Sequence, residues 1–196
     1  MDCWIAMCVP GGASLAALAE VEHRVLGLGE ALGGAPWVVT HQVRAAEGGH
    51  YAGSLQTQRG EQAVVQFAEL ADASGGGWGL VDGTGLVRGG GEETHMAHAL
   101  ASAIAHRDRT EGRVVRFPGQ ADLPEQLSLE ELVERTVVED VVRVGVAEDA
   151  SPLLRTNGYV RLELADGRVR LPVIPWDDGE VCPFEQRDQH PCCDGH

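Results

Sequence analysis

The segment from residue 158 to residue 174 carries the pattern that most constrains the fold of this chain. Asp166 and Gly167 form a dipeptide suited to a two-residue type I′ turn, in which both residues need positive φ. With that turn as the loop, the cross-strand pairs are Leu164 with Val169, Leu162 with Leu171, and Glu163 with Arg170. Apolar side chains therefore meet apolar ones, and an acid meets a base. The pattern predicts an antiparallel hairpin with one face in the core.

Hydrophobic periodicity predicts further elements around this hairpin. An apolar run over residues 2–9 predicts a buried strand, and Leu and Val at helical spacing after Ser14 predict an amphipathic helix. Ser128 and Glu131 form a capping-box signature that opens another helix. The other expectations are strands over 37–45, 62–70, 113–117 and 141–146, a helix over 92–107, a loop or edge strand over 48–60, and a hairpin with a two-residue loop at Asp82-Gly83.

Two predicted hairpins, without strict alternation of strands and helices, favour an α+β fold. We expect a mainly antiparallel sheet with about three packing helices, in a single domain over residues 1–175. Residues 176–196 lack a periodic apolar pattern and carry an excess of acidic side chains, so they predict an irregular tail. The alternative is a division into two domains near residues 119–122.

The charge of the chain restricts its partners. Its 196 residues include 30 acidic and 15 basic side chains, a formal net charge of -15, and every basic residue is an arginine. Without lysine, phosphate-loop and Schiff-base lysine chemistries are excluded. The negative charge disfavours nucleic acid and anionic lipid, and no long apolar run predicts a membrane span. With Asp2 near the start and no export signal, we expect a cytoplasmic protein.

The C-terminal tail carries a dense group of soft metal ligands. Three cysteines and two histidines fall within its last 15 residues, and thiolate and imidazole suit zinc or iron. The candidate ligands are Cys182, His190, Cys192, Cys193 and His196. Their spacing is not a standard zinc pattern, because two cysteines are adjacent and no Cys-x2-Cys pair occurs. A disordered tail or a disulfide is the competing interpretation.

A second group of histidines lies on the predicted helix over residues 92–107. His95, His98 and His106 fall within a stripe about 80° wide, opposite Leu100 and Ile104. Histidines at helical spacing can bind a metal, so these three are weaker candidate ligands. Hydrophobic periodicity alone also explains the stripe, and on that interpretation the histidines face solvent while Leu100 and Ile104 are buried.

No catalytic motif is present in the sequence, so no catalytic residue is assigned. The leading hypothesis is a non-enzymatic protein that binds a protein partner, as an inhibitor, an immunity-type protein or an accessory factor does. One alternative is a metal-dependent enzyme or redox protein that uses the C-terminal cysteines and histidines. The other is a recognition domain whose tail is modified by another enzyme.

Overall fold

The computed structural model describes residues 2–11, 14–45, 48–147 and 150–187. The fold is α+β and is dominated by one large, mostly antiparallel sheet of twelve strands, with four helices. The helices are α1 (Leu15–Ala31), α2 (Gly60–Ser74), α3 (Glu93–Asp108) and α4 (Leu129–Arg135). The strands are β1 (Cys3–Cys8), β2 (Trp37–Ala45), β3 (Gly48–Thr57), β4 (Gly77–Asp82), β5 (Val87–Gly91), β6 (Glu111–Arg116), β7 (Gln126–Ser128), β8 (Asp140–Arg143), β9 (Leu153–Arg155), β10 (Leu162–Ala165), β11 (Arg168–Pro175) and β12 (Val181–Pro183).

The N-terminal half has the βαββαβ order of the ferredoxin-like motif. Strands β4, β1, β3 and β2 are hydrogen-bonded in that order, and every neighbouring pair is antiparallel. Helices α1 and α2 contribute Val25 and Phe67 to a core that includes Ile5 of β1. Helix α3 packs against the opposite face, where Ala99 and Ala103 meet Ala6 of β1. Both faces of β1 are buried, as its continuous apolar sequence predicts.

The C-terminal half extends the same sheet through β6. Strand β6 pairs with β2 on one side and with β10 on the other, and β11, β12, β9 and β7 follow in that order. The pairs of β8 with β11 and of β9 with β12 are parallel. A second core lies here, with Leu132 of α4 packed among Val114, Leu162, Leu171 and other buried side chains.

Several expectations from the sequence are confirmed. Ser14 caps α1, and Ser128 with Glu131 forms the predicted capping box of α4. Asp166 and Gly167 form a two-residue loop with φ of 53° and 79°, and Glu163 pairs with Arg170. The four apolar side chains predicted on the inner face are buried: Leu162, Leu164, Val169 and Leu171.

Other expectations are wrong. The predicted strand over residues 62–70 is helix α2, so the described residues contain four helices where about three were expected. The apparent alternation concealed Ala63, Phe67 and Ala71, which are buried at a spacing of four residues. The loop after β4 covers residues 83–86, not two residues, because the Asp82 carboxylate accepts hydrogen bonds from the backbone N–H of Thr84 and Leu86.

The predicted loop or edge strand over residues 48–60 also differs from the structure. Most of it is β3, which lies between β1 and β2 near the middle of the N-terminal sheet. Its small residues are explained by close packing: a Cβ added to Gly53 would lie 2.2 Å from Cγ2 of Val25 in α1. The small residues that suggested a loop therefore belong to a central strand that packs closely against α1.

The chain after residue 175 continues into the sheet. Strand β12 lies inside the segment that the sequence analysis assigned to an irregular tail, and it pairs with β11. Hydrogen bonding to the core strand β11, and not a periodic apolar pattern, orders this segment. Residues 188–196 lie outside the described part of the chain.

Candidate functional site

A cleft lies where β2 separates from β6. Pairing between these strands ends at Thr40, while β2 continues to Ala45 alongside β3. The cleft has a volume of about 860 Å³. This volume lies in the range of small-molecule sites in proteins. Its walls include His41, Tyr51, His98, Arg113, Arg161 and Glu185.

Arg113 is the centre of an ion-pair group in this cleft. Its Nε donates to Oε2 of Glu185 at 2.6 Å, its Nη2 donates to Oε1 of the same carboxylate, and its Nη1 donates to Oε2 of Glu22 at 2.7 Å. The hydroxyl of Tyr159 donates to Oε1 of Glu185 at 2.8 Å. Strand β6, helix α1 and the segment after β12 are thereby joined by one guanidinium group.

Arg161 adds a second cation to the same group. Its Nη2 donates to Oε1 of Glu22 at 3.0 Å, and its Cζ lies 4.2 Å from the centroid of the Tyr159 ring. Its Nε is buried and has no hydrogen-bond partner among the described residues. Two guanidinium groups and two carboxylates therefore form one ion-pair group, of which Arg113, Arg161 and Glu185 line the cleft.

The charges in this group stabilise one another. Burial disfavours the Glu185 carboxylate, but the hydrogen bonds and charge of Arg113 outweigh it and hold the pKa of Glu185 below its ordinary value. Burial likewise disfavours the Arg113 cation, but Glu185 and Glu22 raise its pKa. Burial raises the pKa of Tyr159, so its phenol stays protonated and can donate. The group is a charged network at neutral pH.

A buried chain of hydrogen bonds lies on the α3 face of the sheet. Nε2 of His41 lies 2.8 Å from Oγ of Ser54, and Nδ1 of His106 lies 2.9 Å from the same oxygen. All three side chains are buried. Burial lowers the pKa of His41 to about 4. Burial, with the charges of His41 and Arg109, lowers the pKa of His106 well below its ordinary value, so both rings are neutral at neutral pH.

One hydroxyl proton constrains the tautomers of both rings. Ser54 Oγ also lies 3.5 Å from the carbonyl oxygen of Val39, and it can donate there while both histidine nitrogens donate to Oγ. If Ser54 instead donates to one of the two facing nitrogens, the other nitrogen must carry a proton and donate to Oγ. Nδ1 of His41 is buried and has no hydrogen-bond partner among the described residues. His41 borders the large cleft, while His106 borders a separate cavity of about 110 Å³.

The histidine stripe of α3 does not have the predicted exposure. His106 and Ser102 are buried, His95 and His98 are partly buried, and the side chain of Ile104 is 37% exposed. The expectation that the histidines face solvent and Ile104 is buried is therefore wrong. Alanines and small polar groups form the face of α3 that lies against the sheet, because they allow a close approach that Ile104 would prevent.

The three predicted helix ligands do not form one group. The His50 ring of β3 lies near two of them, with centroids 5.6 Å from His95 and 6.2 Å from His98, whereas His106 contacts Ser54. Nδ1 of His50 lies 2.7 Å from the carbonyl oxygen of Gly11. Within the described ranges, no three His, Cys, Asp or Glu side chains are placed to hold a metal ion.

Only one of the five candidate metal ligands in the tail lies among the described residues. Cys182 lies in β12 and is buried, and burial raises the pKa of its thiol. The other four candidates lie outside the described residues: His190, Cys192, Cys193 and His196. The metal site at the tail remains a prediction.

No protein-family model, curated protein or solved structure matches the chain. In the described residues, no helix is both long and apolar enough to cross a membrane. The site must therefore be interpreted from its own geometry.

Sequence reasoning missed the residues that form the cleft. Arg113, Arg161 and Glu22 are separated by up to 139 positions, and no local motif joins them. One signal was available: His41 is a polar residue on a face of β2 that otherwise carries Trp37, Val39 and Val43. Polar residues at positions predicted to be buried indicate a hydrogen-bonded partner.

Proposed function

We propose that this chain is a non-enzymatic, cytoplasmic binding protein, and that the edge strand β5 binds an extended segment of a protein partner. The observation that carries the proposal is the position of β5. It is the first strand of the sheet and, in the described part of the chain, pairs only with β4. An open edge of this kind is a template on which another chain can add a strand.

The hydrogen-bond pattern supplies the polar half of this surface. The N–H of Asp82 donates to the carbonyl of Leu86, and the N–H of Glu92 donates to the carbonyl of Gly76. In an antiparallel ladder, bonding positions alternate along the strand. The main-chain groups of Val87 and Gly89 are therefore directed away from β4. They provide donors and acceptors for an added strand.

The side chains around β5 favour a partner segment with apolar and basic residues. Leu86 and Val87, which lie just before and at the start of β5, are large apolar residues that are 55% and 49% exposed. Glu61 is an exposed acid that pairs with Arg88 of β5 at 2.6 Å, and Glu92 is an exposed acid that directly follows the strand. With a net charge of -15, the chain attracts basic protein segments and repels nucleic acid.

A synthetic peptide of alternating lysine and valine tests this surface directly. We expect it to slow hydrogen exchange at the amides of Val87 and Gly89, because both would enter a new ladder. A peptide of alternating glutamate and valine should not do so. Val87→Lys should weaken binding of the lysine peptide about tenfold through charge repulsion and lost apolar contact.

Val65→Lys is the matched control, since it makes the same change at an exposed valine of α2. Equal binding by both variants, or exchange protection elsewhere and none at β5, would overturn the proposal.

A further inference from the structure

Glu185 is bound in the way that proteins bind a ligand carboxylate. A planar guanidinium group meets both of its oxygens, and a phenol hydroxyl donates to one of them. Two parallel N–H donors match the geometry of a carboxylate, and this fork is common in sites that recognise carboxylate ligands. All of these hydrogen bonds are accepted by the carboxylate, and none involves a backbone atom of Glu185.

If Glu185 left, the forked donors of Arg113 would lose their acceptor, while Arg161 would keep its ion pair with Glu22. Glu111 and Glu163 also line the cleft, so the donor geometry at Arg113, and not the net charge, favours an anion there. Nε of Arg161 already lacks a hydrogen-bond partner among the described residues. A free carboxylate in this position would therefore meet one forked donor, one phenol and one further cation.

Glu185 reaches the group from a short segment that follows the last strand. The N–H of Phe184 donates to the carbonyl of Pro172 at 2.9 Å, which fixes the start of the segment. The side chain of Phe184 is 61% exposed, so it contributes little buried apolar area to holding the segment in place. Both residues border the cleft. Displacement of the segment would open the ion-pair group to the cleft without removing a core side chain.

We infer that Arg113, Tyr159 and Arg161 form a binding site for the carboxylate of a small organic molecule lying in the cleft, and that Glu185 occupies this site when no ligand is bound. The ligand would compete with Glu185 for Arg113. Glu22 balances one of the two cations in either state. This site is independent of the β5 edge.

Propionate is the appropriate probe, because it has the same carbon chain and carboxylate as the glutamate side chain beyond Cα. We expect Glu185→Ala to bind propionate about tenfold more tightly than the unchanged chain, measured by the amide and side-chain NMR shifts of Arg113 and Tyr159. Glu185→Gln fills the same space with a neutral group and should show an intermediate affinity. Propionamide, which is neutral, should not bind either variant.

The double variant Glu185→Ala with Arg113→Gln should lose the added affinity. If Glu185→Ala is poorly folded alone, propionate should restore its circular dichroism spectrum, and propionamide should not. Propionate affinity that is the same in the unchanged chain and the folded Glu185→Ala variant would overturn the inference. So would a failure of propionate to restore an unfolded variant, or binding that persists without Arg113.

Discussion

Nδ1 of His106 in helix α3 lies 2.9 Å from the hydroxyl oxygen of Ser54 in the central strand β3, and Nε2 of His41 lies 2.8 Å from the same oxygen. A single hydroxyl therefore links α3 to two strands. Because all three groups are buried, a bond that is lost leaves a buried polar atom without that partner.

Ser54→Ala should destabilise the fold by about 1–3 kcal/mol, because it leaves nitrogens of both histidines without a partner in a buried site. Urea denaturation followed by circular dichroism would measure the loss. Ser102→Ala is the control, since Ser102 is also a buried residue of α3 but lies outside the chain of three side chains. An equal decrease in the free energy of unfolding of the two variants would show that the hydrogen bonds between Ser54 and the histidines add no measurable stability.

Acid should destabilise the protein through His41 and His106. Both have pKa values lowered by burial, to about 4 for His41, whereas an unfolded histidine titrates near its ordinary value of about 6.5. Their contribution is therefore fully present above pH about 6.5 and decreases as the pH falls toward about 4, since only the unfolded state takes up protons there. The slope should reach about 1.4 kcal/mol per pH unit for each histidine.

This dependence can be measured by urea denaturation at a series of pH values from neutral to acidic. His106→Gln should give a flatter profile than the unchanged protein. His23→Gln, at an exposed position of α1, should leave the profile unchanged. A profile that is insensitive to His106→Gln would contradict the assignment.

Gly167→Val should destabilise the hairpin of β10 and β11 by about 1–2 kcal/mol or more, because a β-branched residue resists the positive φ found there. Asp166→Asn is the control, since asparagine tolerates the same left-handed conformation. Thermal unfolding would compare the two. A stable Gly167→Val variant with unchanged cross-strand contacts would contradict the turn assignment.

Arg113→Lys should cost about 1–3 kcal/mol, because an ammonium group cannot replace a forked guanidinium that serves Glu185 and Glu22 together. Arg116→Lys alters an exposed pair with Glu30 and should change stability by less than about 0.5 kcal/mol. Chemical denaturation at low and high salt would distinguish the partly buried pair from the exposed one, since salt screens only the latter strongly.

Metal content tests the tail. If Cys182 joins His190, Cys192, Cys193 or His196 around zinc or iron, protein purified without oxygen and chelators should contain stoichiometric metal. Replacing Cys193 and His196 together should remove it and leave the hairpin of β10 and β11 folded. Elemental analysis with an ultraviolet–visible spectrum measures both expectations. Absence of metal from the unchanged protein would exclude the site.

Local chemistry explains which parts of the fold the sequence predicts. The turn at Asp166-Gly167 and the capping box at Ser128 depend on neighbours a few residues away, and both are as expected. The α+β class followed from those same local patterns. The strand prediction over residues 62–70 was wrong because these nine residues, with two adjacent valines, fit both the helical period and the two-residue period of a strand. Packing against the sheet favours the helix, in which Ala63, Phe67 and Ala71 are buried.

The cleft is formed by residues that are far apart in the sequence, so no local pattern predicts it. Glu22 and Arg161 are 139 residues apart, and Glu185 reaches Arg113 only because β12 joins the sheet. His106 was equally hidden, since it resembled one more polar residue on a helix surface. Long-range pairing by the sheet determines both sites.

Helix α3 lies almost directly on the backbone of β4. A Cβ added to Gly77 would lie 2.2 Å from the backbone nitrogen of Met96, and one added to Gly79 would lie 2.6 Å from the backbone nitrogen of Leu100. A single methyl group at either position must therefore displace α3 from the sheet. Because the helix is a stiff rod, displacing its first turns at Met96 would tilt its far end and strain the position of His106, which lies more than two turns after Met96.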